Sequence, residues 1–323
     1  MIMKTEPLVS VVTPVYNGQE YLAECIESVM AQSYQNWEYI IVNNCSTDRS
    51  LEIASRYKEK DARIRIHNNS EFASMLKNHN IALRQISPAS KYCKVVFADD
   101  LLFPECLMEM VKIAEENRSV AIVGAYGLMG TKVVWDGLPY PSVVVSGREI
   151  CRSRLLGGPY IFGSPTSILM RSDVIRKRDP FYEESNIHAD TAVCYEVLQS
   201  GDFGFVHQVL TYTRVREESA TSFSRRYNTY LPGFLNDLIK YGPLFLKPEE
   251  VEEHVQAHLQ RYYEFLARSV VHRREKDFWD YHKTKLKELG HPLDRPRLIK
   301  GVVSLLIDHL LNPKRAIEGR FNH

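Results

Sequence analysis

Residues 8–48 read LVSVVTPVYNGQEYLAECIESVMAQSYQNWEYIIVNNCSTD, and this stretch decides the fold class. An apolar, β-branched run over 8–16 predicts a strand, which an Asn-Gly pair ends. Apolar residues then recur at helical spacing over 20–32, and a second apolar run over 37–42 predicts another strand. The order strand, helix, strand indicates parallel strands joined by a crossover helix.

The same alternation continues well beyond this stretch. Further strands are predicted at 63–67, 92–98, 120–126 and 205–212, and further helices at 49–60, 73–85, 104–114 and 191–198. The predicted fold class is therefore α/β, with a mostly parallel sheet and helices on both faces. After about residue 224 the pattern becomes helical. We expect a catalytic domain over 1–224 and a helical C-terminal region over 225–323, with helices at 248–276, 276–289 and 298–311.

The composition of the 323 residues is that of a globular protein. Hydrophobic residues make up 44%, and 41 Lys+Arg against 40 Asp+Glu give a net charge of +1. Wholesale disorder is excluded, and no nucleic-acid partner is predicted, because the chain has no global positive field. Apolar runs stop far short of the ~20 residues that span a bilayer. Without a signal-peptide pattern or a CxxC among the six cysteines, we expect a cytoplasmic protein with reduced thiols.

Polar loops follow three of the predicted strands. They lie at 17–18, 43–48 and 99–100. In parallel sheets the carboxyl ends of the strands meet at one edge, and ligands bind there. The sequence therefore predicts that these three loops share one site.

Asp99 and Asp100 stand where an apolar strand stops. Two adjacent carboxylates repel each other unless a cation or strong donors offset their charge. A hard divalent ion held by one or two carboxylates and a diphosphate is the usual pairing. The alternative is a solvated turn or a helix cap ahead of Pro104, and the pair alone leaves both open.

Two further positions have a structural and a functional interpretation. Asp190 precedes a predicted helix, where it fits an N-cap or a general base for an acceptor hydroxyl. The stretch PVYNG at 14–18 fits an ordinary strand-to-helix turn. It also fits a donor site, with an aromatic ring for a base and backbone donors for a phosphate.

Taken in order, three motifs resemble those of the family 2 glycosyltransferases, which have the GT-A fold. They are TPVYNG at 13–18, VNNCSTD at 42–48 and ADD at 98–100. Asp190 ahead of a helix and LTYTR at 210–214 are similar to the rest of the family's pattern. No single motif is specific, but the ordered set is.

The resemblance implies a nucleotide-sugar donor, a divalent cation (Mn²⁺ or Mg²⁺) and inversion at the anomeric carbon. By position, Pro14, Tyr16 and Asn44 would face the nucleobase. Lys77 stands where an arginine commonly helps to hold the donor, and Asp99 would hold ribose or sugar. The other implied roles are metal coordination by Asp100 and deprotonation of the acceptor by Asp190.

The chain departs from the family's pattern in four ways. Asn43 and Asn44 replace the usual Asp-Asp, which weakens the case for UDP because a neutral amide replaces a charged acceptor. A UDP-sugar stays the favoured donor, and dTDP-, GDP- and CMP-sugars stay open. Ala189 replaces the Glu that commonly precedes Asp190. Arg216 stands where a histidine is common; it would not ligate a metal but would hold diphosphate. The QxxRW motif of processive members is absent, which favours transfer of a single sugar.

The predicted activity is therefore inverting, metal-dependent transfer of one sugar to a surface-glycan or lipid-linked saccharide acceptor. The alternatives are a nucleotidyltransferase acting on sugar phosphates and a non-catalytic sugar-nucleotide-binding scaffold of the same fold. The apolar helix predicted at 298–311, with basic flanks, has three interpretations: packing on the catalytic domain, a homodimer contact, or docking at the inner face of the membrane. Apolar residues on more than one of its faces favour a buried helix, either packed on the catalytic domain or in a dimer contact, over membrane docking.

Overall fold

The computed structural model describes residues 6–140, 142–216 and 220–311. The chain forms two compact units, Met1–Val215 and Arg216–His323. The first carries a single mixed sheet with flanking helices, and the second is helical.

The first unit alternates strands and helices. Its strands are β1 (Val9–Val15), β2 (Trp37–Asn43), β3 (Ile64–Asn68), β4 (Tyr92–Val95), β5 (Leu101–Leu102), β6 (Val120–Met129), β7 (Lys132–Val134), β8 (Val144–Val145), β9 (Ile168–Arg171) and β10 (Asp202–Thr213). Its helices are α1 (Leu22–Met30), α2 (Ser50–Lys60), α3 (Met75–Arg84), α4 (Cys106–Glu116), α5 (Gly147–Leu155), α6 (Ser172–Arg176) and α7 (Ala189–Val197). A short 3₁₀ helix occupies Pro165–Ser167.

The sheet runs in the order β3-β2-β1-β4-β9-β6-β10-β5, with β7 on β6 and β8 on β10. Strands β3, β2, β1 and β4 are mutually parallel, and β6 is parallel to β10. Strand β9 is antiparallel to both of its neighbours. The predicted α/β class with a mostly parallel central sheet is confirmed.

Strand β1 lies at the centre of the core. All seven of its residues are buried, and Val9, Val11 and Val12 have no exposed surface. A parallel strand that helices cover on both faces has a nearly continuous apolar sequence. This is why β1 could be predicted from the sequence. Tyr16 and the loop that follows it come directly after β1, at the carboxyl edge of the sheet.

Several elements were not predicted from the sequence, among them β9 and α5. Strand β9 is only four residues long and follows a Gly/Pro-rich loop, and α5 reads GREICRSRL with few apolar residues. The fourth strand also ends at Val95, three residues earlier than predicted. The chain turns there, and the amide of Asp100 donates to the carbonyl of Phe97 at 3.0 Å.

The second unit contains α8 (Ala220–Tyr227), α9 (Tyr230–Phe245), α10 (Pro248–Val271), α11 (Lys276–Glu288) and α12 (Arg295–Leu311). The predicted helical C-terminal region is therefore confirmed. Helix α10 begins with a proline at its first turn, where the missing N–H costs nothing. Over the described residues, no helix is long and apolar enough to cross a membrane.

Candidate active site

The loops after β1 and β2 are joined into one surface. Asn17 adopts a left-handed conformation (φ 49°), and its Oδ1 accepts from the amide of Thr47 at 2.8 Å. Its own amide donates to Ser46 Oγ at 3.1 Å, and the amide of Gly18 donates to Ser50 Oγ at 2.8 Å. The predicted meeting of these two loops is what the structure shows.

An aromatic pair lies on this surface. The rings of Tyr16 and Phe72 meet edge to face with centroids 4.9 Å apart, and their exposed fractions are 50% and 60%. Sequence reasoning found Tyr16 but missed Phe72, whose signal is one aromatic residue in an otherwise polar loop at 68–74. Pro14 is buried in β1 opposite Val42, two residues before Tyr16. Exposed rings of this kind suit stacking of a nucleobase.

Asn44 lies beneath the loop that carries Phe72. Its side chain is 2% exposed. Its Oδ1 accepts from the amide of Ala73 and from Asn69 Nδ2, both at 2.9 Å, and its Nδ2 donates to the carbonyl of Ala73 at 2.9 Å. In this geometry Asn44 holds the loop beside the aromatic pair.

Lys77 lies in the first turn of α3, next to the same loop. The side chain of Ser74 caps this helix by accepting from the amide of Lys77 at 3.4 Å. The Lys77 side chain is about half exposed, and its Nζ lies 4.0 Å from Glu71 Oε1. A cation at the N-terminal end of a helix favours an anionic ligand there.

Asp100 is the most deeply buried carboxyl of the site, with 2% exposure. Thr166 Oγ1 donates to its Oδ2 at 2.6 Å, and the amide of Arg214 donates to its Oδ1 at 3.3 Å. Burial raises the pKa of Asp100 to about 7, and the charge of Asp99 adds to the shift. The alternative of a solvated turn is therefore wrong for Asp100, whereas Asp99 lies in a turn and is partly buried. Neither aspartate caps α4, whose N-cap is Glu105.

These residues fit a hard divalent cation. The Asp100 carboxyl is buried next to a second carboxylate, and its two hydrogen-bond donors are neutral. The charge of Arg214 opposes the raised pKa of Asp100 only in part, so a bound cation would offset the remaining repulsion. Within the described ranges, no group of three or more His, Cys, Asp or Glu side chains converges on one point. A metal held here would therefore take its remaining ligands from substrate oxygens and water, as Mg²⁺ commonly does.

Arg214 secures the loop that contains both aspartates. Its Nε donates to the carbonyl of Asp99 at 3.3 Å, and its Nη2 donates to Glu24 at 2.8 Å. Its guanidinium lies over the ring of Tyr21, 4.1 Å from the centroid. Arg216 stands two residues further on, at the first position of the second unit.

Asp190 lies in the first turn of α7, whose N-cap is His188. Asp190 therefore is not the N-cap itself, which corrects that alternative. Its Oδ1 accepts from the amide of Thr191 at 2.8 Å. Burial raises the pKa of Asp190, and the hydrogen bond from Thr191 opposes this only in part. The carboxylate is thereby a stronger base than a solvated aspartate.

One segment connects Asp190 with Asp100. The hydroxyl of Tyr160 donates to the carbonyl of Gly163 at 3.0 Å and lies 2.9 Å from Thr191 Oγ1. Six residues after Tyr160, Thr166 bonds to Asp100. Segment 160–167 therefore contacts the neighbour of Asp190 near one end and Asp100 itself near the other.

The family model for glycosyl transferase family 2 matches residues 10–178. The chain belongs to this family. It is 30% identical over 238 residues to the glycosyltransferase GlyG of Streptococcus pneumoniae, covering 68% of this chain and 76% of GlyG. The chain is thus a family 2 glycosyltransferase.

Solved structures with low sequence identity show the same fold. The S. aureus TarS 1–349 structure in complex with UDP-GlcNAc has a TM-score of 0.68 and 16% identity, covering 94% of this chain and 91% of that one. The mannosyltransferase PcManGT of Pyrobaculum calidifontis, in complex with GDP-Man and Mn²⁺, has a TM-score of 0.59 and 14% identity, covering 95% and 88%. The predicted GT-A fold is confirmed.

Proposed function

We propose that this glycosyltransferase moves one sugar, with inversion, from a nucleotide-sugar donor to a hydroxyl of a surface-glycan or lipid-linked saccharide acceptor. The observation that carries the proposal is the buried Asp100 carboxyl at the edge of the sheet, joined through segment 160–167 to the environment of Asp190. A single displacement needs one carboxylate on the side of the leaving diphosphate and another on the side of the attacking hydroxyl. Asp100 would serve the first role and Asp190 the second.

The donor's base would lie on the aromatic pair formed by Tyr16 and Phe72. Pro14 would line the site beside these rings. Asn44 would set the position of Phe72 through its hydrogen bonds to the backbone of Ala73. Lys77 and Arg216 would attract the diphosphate. A UDP-sugar stays the favoured donor, with dTDP-, GDP- and CMP-sugars as alternatives. The structural neighbours support a nucleotide-sugar but differ in the base, since one complex holds UDP-GlcNAc and the other GDP-Man.

Asp100 would hold Mn²⁺ or Mg²⁺, and Asp99 would hold the ribose or the donor sugar. When bound, such an ion offsets the negative charge that develops on the leaving diphosphate. The Mn²⁺ in the PcManGT complex supports this proposal. Thr166 and Arg214 would fix the carboxyl of Asp100 in place before the donor arrives.

Asp190 would act as the general base. Its carboxylate takes the proton of the acceptor hydroxyl while that oxygen forms a bond to the anomeric carbon. The bond from the anomeric carbon to the diphosphate oxygen breaks at the same time, and attack from the opposite side inverts the configuration. A buried carboxylate with a raised pKa is suited to this step.

We further propose that transfer stops after one sugar and takes place on the cytoplasmic side of the membrane. The missing QxxRW motif supports the first point. The use of a nucleotide-sugar donor supports the cytoplasmic side. Reduced thiols support it as well, because the cysteines of the described residues are all free.

A turnover assay with a base-deficient variant tests this function. The full chain is incubated with Mn²⁺, a panel of nucleotide-sugars and saccharide acceptors, and nucleotide release is measured for wild type, Asp190→Asn and the exposed neighbour control Glu183→Gln. We expect Asp190→Asn to lose about 10²-fold or more in rate while keeping its donor affinity. A normal rate in Asp190→Asn would make the base assignment wrong, and lost donor affinity would make Asp190 a donor ligand.

A further inference from the structure

Helix α12 has one face covered by α10 and another that is exposed. One face packs on α10: a Cβ at Gly301 would lie 3.2 Å from the Cβ of Ala267, and the Arg297 guanidinium lies over the ring of Tyr263 at 4.9 Å. This face of α12 is therefore covered within the helical second unit. The second face is the subject of the inference.

The second face is an exposed apolar stripe. Its members are spaced three and four residues apart, as one side of a helix requires. They are Ile299 (63% exposed), Val303 (49%), Leu306 (46%), Ile307 (50%) and Leu310 (81%). From Ile299 to Leu310 the stripe is about 17 Å long at 1.5 Å per residue, which is too short to span a bilayer but suits a helix lying in its surface.

Basic residues border this stripe. Arg295 lies about one turn before Ile299 on one border, and Lys300 follows Ile299 on the other. The sequence of α12 contains one acidic residue, Asp308, which at 3.6 residues per turn falls on the side opposite Ile299. The apolar face is therefore flanked by positive charge and separated from negative charge.

The end of α10 also carries exposed apolar residues. Arg297 and Gly301 contact α10 at Tyr263 and Ala267, so α12 runs alongside α10 in the same direction. At that end of α10, Val270 and Val271 are 39% and 40% exposed. His272, Arg273 and Arg274 follow directly in the sequence.

We propose that the α12 stripe docks this protein on an anionic lipid surface. Apolar side chains enter the boundary between headgroups and acyl chains, while Arg295 and Lys300 contact the acidic headgroups. A second copy of the chain would bring the same positive borders into the contact, whereas anionic lipid neutralises them. The proposal does not depend on the proposed transfer reaction, because it rests on α12 and α10 alone.

Vesicle flotation of the full chain tests the proposal. The vesicles are phosphatidylcholine alone or phosphatidylcholine mixed with phosphatidylglycerol. Val303→Ser/Ile307→Ser removes the centre of the stripe, and the control Ile239→Ser/Leu244→Ser changes two apolar residues of α9 with 36% and 41% exposure. We expect wild type and control to float with the anionic vesicles, and the stripe variant to lose about tenfold or more in binding.

Charge-reversal variants extend the flotation experiment to the basic residues beside the stripe. Arg295→Glu/Lys300→Glu is compared with Lys58→Glu/Lys60→Glu, which changes the net charge equally on exposed residues of α2. We expect only the first pair to abolish flotation. If wild type stays at the bottom with anionic vesicles, or both charge variants float equally, the proposal is wrong. It is also overturned if light scattering shows a dimer that Val303→Ser/Ile307→Ser converts to monomer while lipid binding is unchanged.

Discussion

His79 is a titratable ring of α3 held between aromatic side chains. It stacks on Phe97 with centroids 5.2 Å apart and meets the edge of Tyr182 at 6.2 Å. Burial lowers its pKa to about 4. The folded state therefore binds fewer protons than the unfolded state between this value and the ordinary pKa of 6.5. This contribution to stability is complete above pH 6.5 and is lost as the pH falls toward 4.

We expect His79→Phe to weaken the acid sensitivity of the fold, because phenylalanine keeps the stacking and does not titrate. Urea unfolding of wild type and variant at neutral pH and at about pH 5 measures the difference. The free energy of unfolding should fall more in wild type than in His79→Phe. An equal loss in both proteins would show that His79 is not protonated on unfolding.

Asn44 is another residue whose role depends on its contacts rather than its type. Because its Nδ2 donates to the carbonyl of Ala73, an Asn44→Asp carboxylate would face that carbonyl oxygen without a proton to share. We expect Asn44→Asp to cost about 1–3 kcal/mol of stability and to weaken binding of every nucleotide-sugar, through displacement of Phe72.

Asn17→Asp is the matched control for this change. Asn17 accepts from the amide of Thr47 through its side-chain oxygen, which an aspartate retains. Thermal unfolding and donor titration of the two variants separate the cases. If Asn44→Asp folds normally and shifts preference toward uridine or thymidine nucleotides, its side chain contacts the base directly.

At the scale of the elements, the short 3₁₀ helix Pro165–Ser167 is a link between distant loops. Thr166 Oγ1 donates to Asp100 and accepts from the amide of Phe97 at 3.1 Å. A hydrogen bond to a charged group contributes about 1.5–3 kcal/mol. The position of Asp100 therefore depends on a residue from a different part of the chain.

We expect Thr166→Val to weaken Mn²⁺-dependent donor binding by about tenfold or more, because both hydrogen bonds are lost while the shape is kept. Thr166→Ser keeps the hydroxyl and should restore most of the affinity. Calorimetric titration with the nucleotide-sugar that wild type binds best provides the comparison. Equal affinities for the valine and serine variants would mean that Thr166 does not position Asp100.

The helices and strands also show which parts of the fold could be predicted from the sequence. The central strands were predictable because burial on both faces makes them continuous apolar runs, and the amphipathic helices between them show a clear 3.6-residue period. Strand β9 was not, since three apolar residues and an arginine after a Gly/Pro-rich loop carry no periodic signal. The predicted start of α7 was two residues late, which left Asp190 outside a helix that includes it.

At the scale of the whole molecule, the residues at strand ends were predictable and their partners were not. Asp99 and Asp100 follow an apolar strand, so topology alone places them at the ligand-binding edge. Thr166 and Tyr160 reach the site through contacts with residues far away in the sequence, and a single sequence carries no trace of such pairing. The same holds for α12, whose covered and exposed faces became distinguishable only once α10 was seen to cover one of them.

The proposed donor site depends on Asp100 more than on any other residue. Calorimetric titration of the full chain with a panel of UDP-, dTDP-, GDP- and CMP-sugars, with Mn²⁺ or with a chelator, tests it most directly. Wild type, Asp190→Asn and the surface control Asp294→Asn should each bind one donor class tightly with Mn²⁺. Asp100→Asn should lose about tenfold or more of that affinity while keeping its thermal stability. Metal-dependent binding of the same strength in a folded Asp100→Asn would contradict the account.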